Sequence, residues 1–279
     1  MNARPGLVLP SFETLRLSLH EAVCRIELHR PGKANAINAA MWQELRAAMN
    51  WLDTTPQARV GILCAAGEHF CAGLDFVMFG QLKDEASQAC AGRSREALRR
   101  HILDIQDTVS AIERCRKPVI AEVHAACVGG GVDIITACDL RYCCEQAWFS
   151  VKEIDVGLVA DVGTLQRLPR LIGEGQAREL AYTGRRVEGH EAAGLRLVNR
   201  CHGTREQLRQ AVDALAAQLA GKPPLSLRGT KEMITYARDH SVADSLNYVA
   251  TWNAAMLFSQ DLAESLAARQ EQRPPRYTD

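Results

Sequence analysis

Three consecutive glycines, Gly129-Gly130-Gly131, sit between two apolar runs, and few backbone geometries accommodate that arrangement. Upstream, Pro118-Val119-Ile120-Ala121-Glu122-Val123 reads as a buried strand; downstream, Val132-Asp133-Ile134-Ile135-Thr136-Ala137-Cys138 reads as a short helix. Glycines at such a junction let the chain turn sharply and let a ligand come close to the backbone. The start of the helix offers unpaired N–H groups to negative charge. Taken alone, the triplet is simply a tight turn. It lacks the GxGxxG spacing of a dinucleotide site, and no Gly-Lys-Ser/Thr follows to make a phosphate loop. A second glycine turn, Ala72-Gly73-Leu74-Asp75, follows another apolar strand, Val60–Ala65. The N–H groups of Leu74 and Gly130 could then converge on one oxygen as an oxyanion hole.

The remaining pattern is that of an α/β chain. Thr14–Leu19 and Val23–Leu28 alternate apolar and polar residues about a short link, which predicts a hairpin. Residues 29–38 form a Pro/Gly-punctuated loop, and Met41–Asp53 carries apolar residues at helical spacing. Residues 83–95 read as a polar surface stretch, followed by an amphipathic helix over Ala97–Arg114. Leu140–Cys143 and Ala147–Val151 read as strands, and Thr164–Leu168 as a short helix capped by Thr164 and ending near Pro169. Repeated strand, turn and helix imply a largely parallel sheet. After residue 202 three helices are expected, over 204–219, 225–236 and 241–266. Residues 1–202 are therefore expected to form the core and residues 203–279 a helical region, whose stripe of Leu246, Val249, Trp252, Met256 and Leu257 packs on the core or on another subunit.

Composition narrows the function. The 279 residues carry a net charge of +0, with 47% hydrophobic and 24% charged residues, and so offer no electrostatic footing for nucleic acid or a membrane surface. No apolar run is long enough to span a bilayer. No signal peptide or Ser-Lys-Leu terminus is recognisable, and a cytoplasmic location is expected. The 10 cysteines are scattered, contain no CxxC pair and read as reduced core thiols, so no metal site is expected.

Acids carry the chemistry. Asp133 is flanked by Val132 and Ile134, while Glu153 and Asp161 bracket Val156-Gly157-Leu158-Val159-Ala160, a stretch expected to be partly buried. Carboxylates in such surroundings are costly unless paired or functional. Each alone could be a cap or a buried ion pair; three beside one glycine turn favour proton transfer. Asp139 and Asp155 read as structural, and His124 as a satisfied core residue. Ser150 and Thr164 have no histidine partner to form a triad.

Several of these segments together resemble the crotonase (enoyl-CoA hydratase/isomerase) superfamily: Arg30-Pro31, Ala34-Asn35-Ala36, Phe70-Cys71-Ala72-Gly73-Leu74-Asp75, Lys117–Ala121, the triplet and Gly163–Leu168. The resemblance implies a crotonase-like spiral of ββα units with a C-terminal helical trimerisation region. It further implies an acyl-CoA substrate, no cofactor beyond the CoA of that substrate, and a homotrimer or homohexamer. The thioester oxygen would sit between the Leu74 and Gly130 N–H groups. Lys33, Ala34, Ala36, Ala72, Gly73, Asp75 and Gly131 would line the substrate. Hydratases of the family have glutamates at the positions of Asp133 and Glu153, and glycine at that of Asp161. The trio Asp133, Glu153 and Asp161, with Asp239-His240-Ser241-Val242-Ala243, is similar instead to the branch that isomerises 3,5-dienoyl-CoA to 2,4-dienoyl-CoA in fatty acid β-oxidation. Because C2 and C6 are too far apart for one small carboxylate, Glu153 is assigned as base at C2 and protonated Asp161 as acid at C6, with Asp133 expected to bond to or tune one of them through its negative charge. The rival readings are a trans-2-enoyl-CoA hydratase, a hydrolase or dehalogenase with Asp161 as nucleophile, and a non-catalytic crotonase-like scaffold.

Overall fold

The alternating pattern of the first two strands produces a hairpin. β1 (Leu15–His20) and β2 (Val23–Leu28) pair antiparallel across Glu21 and Ala22, both in the left-handed region at φ 45° and 69°. Two such residues give the turn whose twist matches the strands. Every second residue of β2 (Cys24, Ile26 and Leu28) points inward and is fully buried. Strand β3 (Val60–Ala65) is buried along its whole length and lies parallel to β2, as an uninterrupted apolar run requires. A computed structural model, describing residues 7–78, 80 and 90–279, continues this sheet through β4 (Val119–Val123), β6 (Leu140–Cys144) and β9 (Arg200–His202), in the order β1-β2-β3-β4-β6-β9.

Helix α1 (Ala39–Thr54) covers the sheet. The Asn38 side chain caps it by accepting from the Met41 N–H at 2.9 Å, and Met41, Leu45, Ala48, Met49 and Leu52 are all fully buried. Buried Lys117 donates to the Leu52 and Thr55 carbonyls, placing a cation at the negative end of this helix. Helix α2 (Ala91–Arg114) starts earlier than its apolar stripe suggests, so residues 91–95 of the expected surface stretch are helical. Residues 83–89 of that stretch lie outside the described residues.

The run before the glycines is two strands rather than one. β4 ends at Val123, and Ala125, at φ 48°, turns the chain. β5 (Ala126–Val128) then joins a second sheet, parallel to β7 (Trp148–Ser150), which itself pairs antiparallel with β8 (Val187–Glu188). Only then does α3 (Gly130–Thr136) begin. The sequence gives no warning of the break, because both strands are apolar and no glycine or proline separates them. The result is a strand–strand–helix unit, and the two sheets form successive layers of a spiral.

Helix α4 (Thr164–Ile172) also departs from expectation. Its cap is Gly163, not Thr164, and it runs through Pro169 for another turn before Gly173. The proline ring leaves the Leu165 carbonyl without its usual donor, while Leu168 and Ile172 on the same face stay buried. Helices α5 (Glu174–Thr183) and α6 (Gly189–Gly194) follow. Beyond β9, α7 (Arg205–Ala220) lies on the large sheet with Leu208, Val212 and Ala216 fully buried. The last segment is three helices where two were expected: α8 (Pro224–Tyr236), α9 (Val242–Met256) and α10 (Gln260–Gln270). Ser259, which accepts from the Leu262 N–H, restarts the chain as α10. None of the residues of α9 is buried, and Leu246, Leu257 and Phe258 are exposed.

All ten cysteines are free thiols, eight of them buried. Asp139 holds the β4 entrance through the Val119 N–H and pairs with Lys231, and Asp155 pairs with Lys152. His124 is buried in a loop, and desolvation lowers its pKa to about 4, so it remains neutral with Nε2 against the Gly67 carbonyl.

Candidate active site

Parallel pairing gathers the site. Where neighbouring strands run the same way, the loops leaving them emerge side by side. Val128 is in register with Ser150, so Gly129–Gly131 leaves β5 beside the segment that leads to Glu153. Gly129 donates its N–H to the Ser150 carbonyl at 2.9 Å. A parallel bridge between Cys71 and Cys127 sets Gly73-Leu74 beside Gly129-Gly130, and another between Ile37 and Leu74 adds residues 34–37. Four loops from distant parts of the sequence therefore open on one edge.

Two backbone donors face that edge. Ile37 donates to the Gly73 carbonyl and Asp75 to the Ile37 carbonyl, which leaves the Leu74 N–H turned the other way. The Gly130 N–H is in the first turn of α3, where no helical acceptor exists. Among the described residues neither N–H donates to a hydrogen bond. The turn needs glycine at two points. Gly129 has φ 49° and ψ −116°, and a Cβ there would lie 3.1 Å from Glu153 Oε1. Gly73, at φ 94°, would carry a Cβ 3.2 Å from the Val128 carbonyl oxygen. Glu153 is thus pressed against the glycine turn.

The three acids meet here. Asp133, in the first turn of α3, is 1% exposed and accepts the Thr164 N–H at 2.6 Å. Burial pushes its pKa up to about 7; the charges of Glu153 and Asp161 add to that rise, and hydrogen bonding from Thr164 opposes it. Burial thus works against the negative charge expected on Asp133. Glu153 opens a single 3₁₀ turn, Glu153–Val156, and its Oε2 is buried without a partner. Burial, reinforced by Asp161, raises its pKa as well. Asp161 lies at the open rim, and partial desolvation raises its pKa too. The stretch between these two acids corrects another expectation: Val156, Leu158 and Val159 are exposed, and only Ala160 is buried.

Thr164 is a site residue that sequence reasoning missed. Its N–H holds the Asp133 carboxylate, and its Oγ1 is buried without a partner beside it. The only available sign was a helix start a few residues after an acid.

At the other end of the cleft, Ala34 and Asn35 take left-handed conformations, and buried Asn35 ties Arg30, Ala66 and His69 together. Ala34 accepts the Ala72 N–H at 3.0 Å, so Ala34, Ala36 and Ala72 border one backbone-lined slot, with Lys33 exposed beside it. Two candidates change role. Asp75 is engaged by Arg30 at 3.0 Å and by the Val77 N–H, which makes it a strut of the slot. At Gly131 an added Cβ would lie 3.0 Å from Cys71 Cβ and 3.3 Å from Cys127 Sγ, so its lack of a side chain serves close packing. Among the described residues no cluster of His, Cys, Asp and Glu could hold a metal ion, and no helix is long and apolar enough to cross a membrane.

Unpaired N–H donors beside carboxyls whose pKa values burial raises suit a reaction in which negative charge gathers on an oxygen while a proton moves. The model of the enoyl-CoA hydratase/isomerase family matches residues 18–279, and the chain belongs to that family. It is 45% identical to the peroxisomal Δ(3,5)-Δ(2,4)-dienoyl-CoA isomerase of Arabidopsis thaliana over 268 residues, covering 96% of each chain. It is also 45% identical to the mitochondrial Δ(3,5)-Δ(2,4)-dienoyl-CoA isomerase of Homo sapiens, covering 94% of this chain and 81% of that relative. Among solved structures, an enoyl-CoA hydratase from Bacillus anthracis superposes with a TM-score of 0.85 at 30% identity, over 95% of this chain and 99% of that one. The cytoplasmic location expected from missing signals does not stand, because these relatives are named for peroxisomes and mitochondria.

Proposed function

We propose that the protein is an isomerase converting 3,5-dienoyl-CoA to 2,4-dienoyl-CoA. The observation that carries this reading is the third carboxyl, Asp161, acting electrostatically on both Asp133 and Glu153 beside the unpaired Leu74 and Gly130 N–H groups. The identity to relatives named for this reaction supports it.

Moving both double bonds means taking a proton from C2 and placing one on C6, positions too far apart for one short carboxylate. Glu153, held against the glycine turn, takes the C2 proton. The C2–H electron pair forms the C1=C2 bond and charge passes to the thioester oxygen, where the two N–H groups stabilise a dienolate still conjugated to C6. Asp161, protonated, delivers a proton to C6 as the electrons return. Asp133, fastened to the start of α4, is itself biased toward its protonated form by burial and by the charges of Glu153 and Asp161, and so can hold the local proton. The slot of Ala34, Ala36 and Ala72 takes the CoA end. The exposed apolar surfaces of α9 and of Ile154–Val159 support assembly as a homotrimer or a hexamer of two trimers.

A parallel assay on 3,5-octadienoyl-CoA and crotonyl-CoA tests the reading through the ultraviolet spectrum. Growth of the conjugated dienoyl-thioester band is expected. No reaction on the diene together with rapid hydration of crotonyl-CoA would contradict it and make the protein a hydratase.

A further inference from the structure

The segment that carries Asp161 is held in place by a cluster of charges outside the three acids. Gln106, on α2, donates from Nε2 to the Asp161 carbonyl at 2.6 Å. Two residues on, Gly163 has φ 130°, and a Cβ there would fall 1.9 Å from Arg167 Nη1. The Arg167 guanidinium therefore lies directly over the Gly163 backbone, one helical turn back from its own Cα. It is itself secured: Nε and Nη2 reach the two Glu113 oxygens at 3.4 Å, and Nη2 also reaches Ser110 Oγ at 3.4 Å.

Glu113 takes a second guanidinium, that of Arg238, at the end of α8. Burial alone would raise the Glu113 pKa, but the two arginines more than offset it and hold the carboxyl below its usual value. Next to Arg238, Asp239 accepts from Arg170 on α4 at 2.9 Å. These residues line a groove of about 370 Å³ that opens on Asp161. The groove carries Arg167, Arg170 and Arg238 against Glu113 and Asp239, with Asp161 also in its lining.

We infer that Arg167, clamped by Glu113, is a positioning residue for Asp161: it occupies the space over Gly163 and sets the direction in which the Asp161 carboxyl meets the far end of the substrate. This rests on the isomerase reading above and adds a division of labour to it. The Gly129 turn that presses on Glu153 lies away from the clamp, so a loosened clamp should impair proton delivery at C6 and spare proton removal at C2.

Deuterium labelling separates the two ends. Incubation in heavy water reports exchange at C2 by mass and NMR, while the ultraviolet band reports completed isomerisation. Replacing Arg167 by Met is expected to lower isomerisation about 100-fold, the cost of an ångström-sized misplacement of a reacting group. C2 exchange should change less than about threefold, and KM little. Arg167→Lys should recover part of the loss. Glu113→Gln should show the same selectivity, and the double variant should lose no more than Arg167→Met, because the two residues act as one unit. Loss of C2 exchange in step with isomerisation in folded Arg167→Lys or Glu113→Gln protein would overturn the inference, as would unchanged isomerisation. Wild-type protein inactive on the diene would instead remove the isomerase reading itself, and the inference with it.

Discussion

Asp133 shows how one side chain links stability to chemistry. A carboxyl whose folded pKa is raised from 3.8 to about 7 binds its proton more tightly in the folded chain than in the unfolded one. Its favourable contribution is complete below pH 4 and is lost as the pH climbs through 7, amounting to roughly 4 kcal/mol at full deprotonation. Asp133→Asn, which keeps an acceptor for the Thr164 N–H, should therefore unfold with a flatter pH dependence than wild type and be the more stable protein at pH 8. Urea titrations at pH 5 and pH 8 check this, and equal slopes for the two proteins would refute it. Gly129 makes a complementary point about backbone. An alanine there must adopt a conformation closed to it and meet Glu153, so Gly129→Ala should lose about 1–3 kcal/mol and most activity. A melting curve and the diene assay together measure both effects.

The elements were legible to different degrees, for physical reasons. The buried stripe of α1 and the apolar run of β3 each carry one unambiguous period, and both appear where periodicity puts them. The division of 118–128 into β4 and β5 could not be read, because the turn at Ala125 uses a left-handed alanine and both strands are equally apolar. Helix α4 hid its length behind Pro169, and the final helical run hid its break at Ser259 among good helix formers. The candidate site was legible where chemistry demands rare residues, as with the glycine turns and the acids in apolar surroundings. It was illegible where ordinary residues do the work: the Thr164 N–H, and the packing of Gly131 on Cys71, depend on contacts between segments far apart in sequence.

For the molecule as a whole, α9 and the residues just after it leave apolar side chains exposed. Leu246 is 63% and Phe258 93% exposed in the single chain, more than a soluble monomer ordinarily leaves uncovered in one place. Assembly through this region predicts a particle of three or six protomers by light scattering, and a Leu246→Asp, Phe258→Asp double variant that elutes as monomer. A wild-type monomer would contradict that assembly. The functional account turns on the proposal that the carboxyl of Asp161 directs this site to isomerisation rather than hydration. The most direct test is turnover of 3,5-octadienoyl-CoA by Asp161→Asn, with CoA-thioester affinity measured on the same protein. The account predicts a fall in kcat of at least about 100-fold, the usual contribution of a positioned acid, with affinity retained; isomerisation at near wild-type rate would contradict it.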